Sequence, residues 1–212
     1  MADHTPRVGA IVVAAGRGVR FGGPKHDVAI GDEPMWRRSV QTFTRAGVFN
    51  VVVVGDVPGG VPGGERRRDS VRAGLDALRD AEWVFVHDAA RPLMTEALVV
   101  SLLALMDSEE ADGVVPVVPV ADTLKRVKND VVVSTVERSD LFSVQTPQLF
   151  SMETLMAAHA MDENTDVTDD AGLVEMFGGT VRTVVGDPQN IKITQRGDLE
   201  VALAILDGRE SL

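Results

Sequence analysis

The chain has 212 residues, 44% of them hydrophobic and 25% charged, the ordinary mixture of a globular protein, and its length suggests one domain over residues 1–212. It has no cysteine, which excludes disulfides, thiolate catalysis and Cys-ligated zinc, and no apolar run approaches the ~18–20 residues that a membrane span needs. A formal net charge of −11 repels DNA, RNA and anionic lipid, so an anionic substrate would require a local basic pocket.

Met1 to Arg7 carries Asp3, His4 and Pro6 and lacks the basic start and long apolar stretch of a signal peptide, which places the protein in the cytoplasm. Valine-rich runs of strand length then recur at Val8–Ala14, Val51–Val54, Trp83–Val86 and Gly113–Val118. They do not alternate, as expected of strands buried on both faces. Helical patterns lie between them at Met35–Ala46, Asp69–Arg79 and Thr95–Met106, the last with Thr95 as N-cap and Leu98, Leu102 and Leu105 as a buried stripe. The alternation predicts an α/β fold: a mainly parallel, doubly wound, twisted sheet with helices on both faces. The Pro- and Gly-rich stretch Pro58–Gly64 reads as a surface loop. Beyond Pro119, residues Ala121 to Arg138 hold a short Val131-Val132-Val133 run between charged turns, which predicts a projecting β-hairpin arm. Helices follow at Ser151–Met161 and Asp169–Phe177, then a strand at Thr180–Val185, a strand-like Asn190–Thr194 and a final helix.

Five clusters carry chemistry. The first strand runs into Ala14-Ala15-Gly16-Arg17-Gly18-Val19-Arg20-Phe21-Gly22-Gly23-Pro24-Lys25, where small residues allow a ligand to approach the backbone and Arg20 and Lys25 can neutralise phosphates. A dinucleotide fingerprint fails because Phe21 stands where its third glycine belongs, and a Walker A loop fails because Pro24 precedes Lys25 and His26 follows it. Gly63-Gly64-Glu65-Arg66-Arg67-Arg68-Asp69-Ser70 leads into a helix capped by Asp69 or Ser70, and three arginines in a row are by themselves more often a solvated helix start than a site. His87-Asp88-Ala89-Ala90-Arg91-Pro92 follows a buried strand, where an α/β sheet puts ligands, although Asp88 could equally cap a turn. Thr135-Val136-Glu137-Arg138 precedes Gln145-Thr146-Pro147-Gln148. Asn190-Ile191-Lys192-Ile193-Thr194 is an otherwise apolar strand whose one lysine would usually sit at an edge or snorkel outward.

Together, and in this order and spacing, these elements resemble one family from about Val8 to Leu206: the bacterial 2-C-methyl-D-erythritol 4-phosphate cytidylyltransferases of non-mevalonate isoprenoid synthesis. The motifs Asp122-Thr123-Leu124-Lys125 and Thr168-Asp169-Asp170-Ala171 belong to the same set. The resemblance implies a Rossmann-like nucleotidyltransferase fold, a homodimer joined through the arm at about 121–138, CTP as donor, methylerythritol phosphate as acceptor, and Mg²⁺ or another divalent cation bound mainly through the CTP phosphates. It implies that Ala14, Ala15, Gly16 and Gly18 line the nucleotide and its phosphates, with Ala89 also near it, and that Gly64, Glu65 and Ser70 hold the cytosine and ribose side. Arg20 and Lys25 would stabilise charge at the α-phosphate. Asp88 would sit by the sugar alcohol as the candidate metal carboxylate. Arg138 and Lys192 would position the methylerythritol phosphate, helped by Arg91, Thr123 and Thr146, with the arm residues serving the neighbouring subunit.

The residue types suit such a reaction. A phosphate monoester is largely dianionic near neutrality, its second pKa lying near 6, and can attack phosphorus in line without a protein base. The enzyme then supplies position and charge stabilisation, which calls for Arg and Lys and for no nucleophile. The chain departs from the family pattern at His26-Asp27 after Pro24-Lys25, at Val19, and in the short spacing between Arg20 and Pro24. Two other readings compete. A ribitol 5-phosphate cytidylyltransferase would carry Leu-Ala-Gly-Gly and His-Asp-Ala-Val-Arg-Pro, which this chain does not. A catalytically silent nucleotide-binding protein would have no need of Arg20, Lys25, Arg138 and Lys192 together.

Overall fold

The computed structural model describes residues 5–16, 18, 21–23, 28–48, 50–106, 111–161 and 167–210. In chain order, β1 (Val8–Val13) is followed by a two-strand ribbon of β2 (Ala29–Ile30) and β3 (Glu33–Pro34), then α1 (Met35–Arg45), β4 (Asn50–Val54), α2 (Arg67–Ala77), β5 (Trp83–Asp88), α3 (Glu96–Leu103) and β6 (Gly113–Pro119). A hairpin of β7 (Leu124–Lys128) and β8 (Val131–Val136) comes next, then β9 (Phe142–Val144), β10 (Gln148–Ser151), α4 (Met152–His159), α5 (Asp170–Phe177), β11 (Val181–Val185) and α6 (Arg196–Glu210).

The main sheet has seven strands in the order β11-β6-β10-β5-β1-β4, with β9 paired to the end of β6. β1 runs parallel to both β4 and β5, and β11 runs parallel to β6. β10 is antiparallel to both β5 and β6, so β5 and β6 point the same way across it.

Successive side chains of a strand point to opposite faces, and this divides the core in two. Ile11, Val84 and Val86 face a layer built from Val71 and Leu75 of α2, Leu155 of α4 and Val174 of α5. Ala10, Val12 and Phe85 face Phe43 of α1 and Val99 and Leu102 of α3. All of these are fully or almost fully buried. A third cluster seats α6, through Ala202 and Leu206, on Ile30, Met35, Leu93 and Ile193.

The predicted helices and valine-rich strands are present within a few residues of their expected ends. Thr95 caps α3 as expected, its hydroxyl accepting the Leu98 amide at 3.2 Å. At α2 the cap differs: Asp69 stands inside the first turn and its carboxylate accepts the Arg66 amide at 3.0 Å. The arm is a two-strand hairpin closed by Asn129 and Asp130, both at positive φ (49° and 62°), a conformation these two residue types tolerate.

Two expectations need correction. Residues 190–194 are not a strand: the segment passes over the loop after β5, with the Ile193 amide donating to the Ala90 carbonyl at 2.8 Å, and buries Ile193 against α6. The alternation of Ile191 and Ile193 serves loop packing there. The sheet also gains two strands without a sequence signal, β9 and β10, both antiparallel to the strands that they flank.

Candidate active site

The carboxyl ends of β1 and β5 lie side by side at the Val13 and Asp88 pair, and the chain leaves both strands into one cleft. After β1 the Ala14 amide donates to the Val54 carbonyl at 2.7 Å, and after β5 the Ala89 amide donates to the Val13 carbonyl at 3.0 Å. The two loops are therefore tied to the sheet as they open. Ala14, Ala15, Gly16, Gly18 and Ala89 line the cleft with small side chains or none.

The glycine pair before α2 closes against the first loop. A Cβ on Gly63 would stand 2.4 Å from the Ala15 Cβ, and one on Gly64 would stand 2.3 Å from the Asp69 Cβ. Only glycine allows this approach. The Ser70 hydroxyl then accepts the Gly64 amide at 3.1 Å and holds the turn, while Gly64, Glu65 and Ser70 line the cleft. Met35 and Trp36 at the start of α1 supply an apolar wall.

Asp88 is the hub of the charged floor. Its Oδ1 accepts from Arg67 Nε at 3.0 Å and its Oδ2 from Lys192 Nζ at 2.6 Å. Burial by itself would raise its pKa, but the charges of Arg67 and Lys192 outweigh burial and hold the carboxyl well below the usual carboxylate range. Arg67 reaches further, donating from Nη1 to Asp170 Oδ2 at 2.6 Å. Burial works against its charge, yet Asp170 and Asp88 together raise its pKa, so the guanidinium stays protonated. Asp170 in turn meets His159 Nε2 at 3.1 Å. Burial would raise Asp170 as well, and Arg67 and the His159 hydrogen bond bring it below its ordinary value.

A second layer, uncharged apart from Arg91, supports this floor. The Thr146 hydroxyl accepts the Asp88 amide at 3.1 Å and lies 3.1 Å from His87 Nδ1. His87 is fully buried, and burial pushes its pKa down to about 3, so it is neutral at physiological pH. Asn190 donates to the Thr146 carbonyl at 2.9 Å, and Arg91 Nη1 donates to the Asn190 carbonyl at 2.7 Å. These contacts lock residues 190–194 so that Lys192 reaches Asp88.

The structure thus brings together Ala14, Ala15, Gly16, Gly18, Gly64, Glu65, Ser70, Asp88, Ala89 and Lys192. Thr146 and Arg91 stand behind the floor, bonded to its backbone. Arg138 and Thr123 are exposed at the arm and do not line this cleft; Arg138 Nη1 donates to the Val120 carbonyl at the arm's base. Arg20 and Lys25 lie outside the described residues, as do Val19 and His26-Asp27. Arg67, Asp170 and His159 were not singled out from sequence. Arg67 and Asp170 do stand in the quoted Gly-Gly-x-x-Arg and Thr-Asp-Asp-Ala motifs, and that was the available signal.

Among the described residues no three His, Asp or Glu side chains come together in a way that could hold a metal ion. Both oxygens of Asp88 accept from cations, so a metal ion there would share the carboxylate with Arg67 and Lys192 through its remaining lone pairs. The donor set fits a divalent cation carried on ligand phosphates with at most one protein carboxylate.

A family model described as "2-C-methyl-D-erythritol 4-phosphate cytidylyltransferase" matches residues 8–208. A protein of that name from Nocardia farcinica is 43% identical over 230 residues, covering 100% of this chain and 99% of the relative. One from Frankia casuarinae is 45% identical, covering 95% of this chain and 82% of the relative. The crystal structure of a 2-C-methyl-D-erythritol 4-phosphate cytidylyltransferase from Thermus thermophilus superposes with a TM-score of 0.81 at 30% identity, covering 93% of this chain and 98% of the other.

Proposed function

Because the chain belongs to the 2-C-methyl-D-erythritol 4-phosphate cytidylyltransferase family, we propose that it transfers a cytidylyl group from CTP to the phosphate of methylerythritol phosphate. An acceptor phosphate oxygen bonds to the α-phosphorus of CTP, the bond from that phosphorus to the β-phosphate bridging oxygen breaks, and pyrophosphate leaves with the electron pair. The observation that carries this reading is the convergence of Ala14 to Gly16 with Gly18, Gly64 to Arg67 with Ser70, Asp88 with Ala89, and Lys192, four separate parts of the family match, on one cleft.

The small residues Ala14, Ala15, Gly16 and Gly18 admit the triphosphate against the backbone, and the held turn at Gly64 and Ser70 receives the base and ribose. Arg20 and Lys25 stabilise charge at the α-phosphate as the pyrophosphate departs. Lys192 aims the acceptor phosphate, and the absence of a base in the scheme agrees with an acceptor that is already dianionic. When bound, Mg²⁺ or another divalent cation supplies charge neutralisation on the triphosphate, with Asp88 the candidate protein ligand.

The same reading makes the protein a cytoplasmic homodimer. No helix among the described residues is long and apolar enough to cross a membrane. The arm exposes Val127, Val131, Val132 and Val133, and beside it Leu141, Phe142 and Val144, an apolar surface suited to a second copy. Arg138 and Thr123 would then serve the partner's cleft. Pyrophosphate release measured with CTP, ATP, GTP and UTP, each with methylerythritol phosphate or ribitol 5-phosphate, tests the reading. Release is expected with CTP and methylerythritol phosphate. Release confined to ribitol 5-phosphate, or none at all, contradicts it.

A further inference from the structure

Asp170 and His159 lie behind the floor of the cleft, do not line it, and have no role in the transfer described above. Both side chains are only 1% exposed. Asp170 opens α5, His159 closes α4, and Arg67 opens α2, so three helix ends meet at one point. The junction is fixed from a second side: Arg68 donates to the His159 and Met161 carbonyls at 3.0 and 3.1 Å, and Arg72 donates to the His159 carbonyl at 3.2 Å.

Burying the Arg67 and Asp170 charges is expensive, and such a pair can often be replaced by apolar residues without loss of stability. What the pair supplies is geometry. A guanidinium offers a planar fork whose Nε and Nη2 arms can together take both oxygens of one carboxylate. Here Asp170 holds Nη1 at 2.6 Å and so fixes the guanidinium plane; Nε meets Asp88 Oδ1, Nη2 is buried without a hydrogen-bond partner among the described residues, and Asp88 Oδ2 meets Lys192. His159 Nε2 donates to Oδ1 of Asp170 and fixes the carboxylate that does the holding.

We propose that Asp170, oriented by His159, is a positioning residue: by anchoring Nη1 it holds the Arg67 guanidinium in the plane that meets Asp88 through Nε alone, leaves the second Asp88 oxygen to Lys192, and thereby sets where the Lys192 ammonium stands. The chain of contacts runs His159–Asp170–Arg67–Asp88–Lys192 and ends at the group assigned to the acceptor phosphate. The inference rests on the cytidylyl transfer proposed above.

The test is a double-mutant cycle of Asp170→Asn and Lys192→Met, with CTP binding measured separately. Asp170→Asn keeps the shape and removes the charge that anchors Nη1. With wild-type Lys192 it lowers kcat/KM for methylerythritol phosphate about 10- to 100-fold, while CTP affinity stays within about twofold. In the Lys192→Met background the same substitution costs less than about threefold, because the group being positioned is gone. An equal loss in both backgrounds, a parallel loss of CTP binding, or no loss at all overturns the inference. Should Asp170→Asn not fold, His159 carries the test: His159→Leu lowers kcat/KM in the same way and His159→Gln, which keeps a donor, restores most of it. Equal behaviour of those two variants overturns the inference. If the wild-type protein releases no pyrophosphate, the transfer reading fails and this inference with it; if the wild type is active and the cycle is additive, this inference fails alone.

Discussion

Asp88 and His87 are neighbours at the end of β5, both buried, and burial treats them differently. Asp88 meets two cations and stays ionised, whereas His87 meets the Thr146 hydroxyl and stays neutral. The pH dependence of stability follows from this. An unfolded chain takes up a proton on His87 below about 6.5, while the folded protein does so only near 3. Acid therefore favours the unfolded state across that window, and stability present at neutral pH is lost as pH falls through it. Between pH 7 and pH 5 the wild type should lose about 2 kcal/mol more than His87→Asn. Urea midpoints at the two pH values measure this, and equal losses in the two proteins would contradict it. Asp88 and Asp170 act lower on the scale: their folded pKa values are depressed, so their contribution is complete above the ordinary carboxylate range and is lost below it. At this scale the sequence was partly legible. Asp88 and Lys192 could be placed by motif, but the three arginines 66–68 looked like a solvated helix start. In the structure Arg66 pairs with Asp69, Arg67 bridges two buried aspartates, and Arg68 caps α4. The partner that gives Arg67 its role lies 103 residues away, and no local pattern announces it.

Elements were legible where burial imposed a composition. Valine-rich runs became β1, β4, β5 and β6 because both faces of those strands are covered. β10 has no sequence signal because its four residues, Gln148–Ser151, are too few to show a period and begin at the last residue of a site motif. The lysine in the apolar stretch 190–194 suggests an exposed position, and its side chain is 42% exposed; its ammonium nevertheless reaches Asp88 because the segment is clamped to the loop after β5 rather than to a strand. The arm is the opposite case, an element read correctly whose composition makes little sense within one chain. Val131, Val132 and Val133 are 64%, 57% and 59% exposed, and the pairing with β7 shifts register at Val133. Such an apolar strand needs cover. Val131→Asp combined with Val133→Asp should therefore convert a dimer into monomers at micromolar concentration in sedimentation, with loss of acceptor turnover but retained CTP binding. A dimer that survives both substitutions, or monomers with full activity, would contradict the role given to the arm.

For the whole molecule, a net charge of −11 has to coexist with substrates that are themselves polyanions. The fold gathers Arg67 and Lys192 at the carboxyl ends of the strands while neutralising Arg67 between two aspartates, so the floor is ordered without being strongly basic. Further cations must complete the site, and Arg20 and Lys25 on the first loop and Arg138 on the arm are the ones assigned to it. If Arg138 comes from the second subunit, mixing inactive Arg138→Ala and Lys192→Ala dimers under conditions where subunits exchange should restore part of the activity. One site of each heterodimer then has both groups, and no recovery despite proven exchange would rule out the shared site. The central claim is that an acceptor phosphate, rather than water, attacks the α-phosphorus of CTP in the cleft between β1 and β5. Phosphorus NMR of the wild-type protein turning over CTP and methylerythritol phosphate tests it directly. The coupled pair of signals of an unsymmetrical diphosphate diester is expected, appearing in step with pyrophosphate. Formation of CMP or CDP, with the acceptor's monoester signal unchanged, would contradict it.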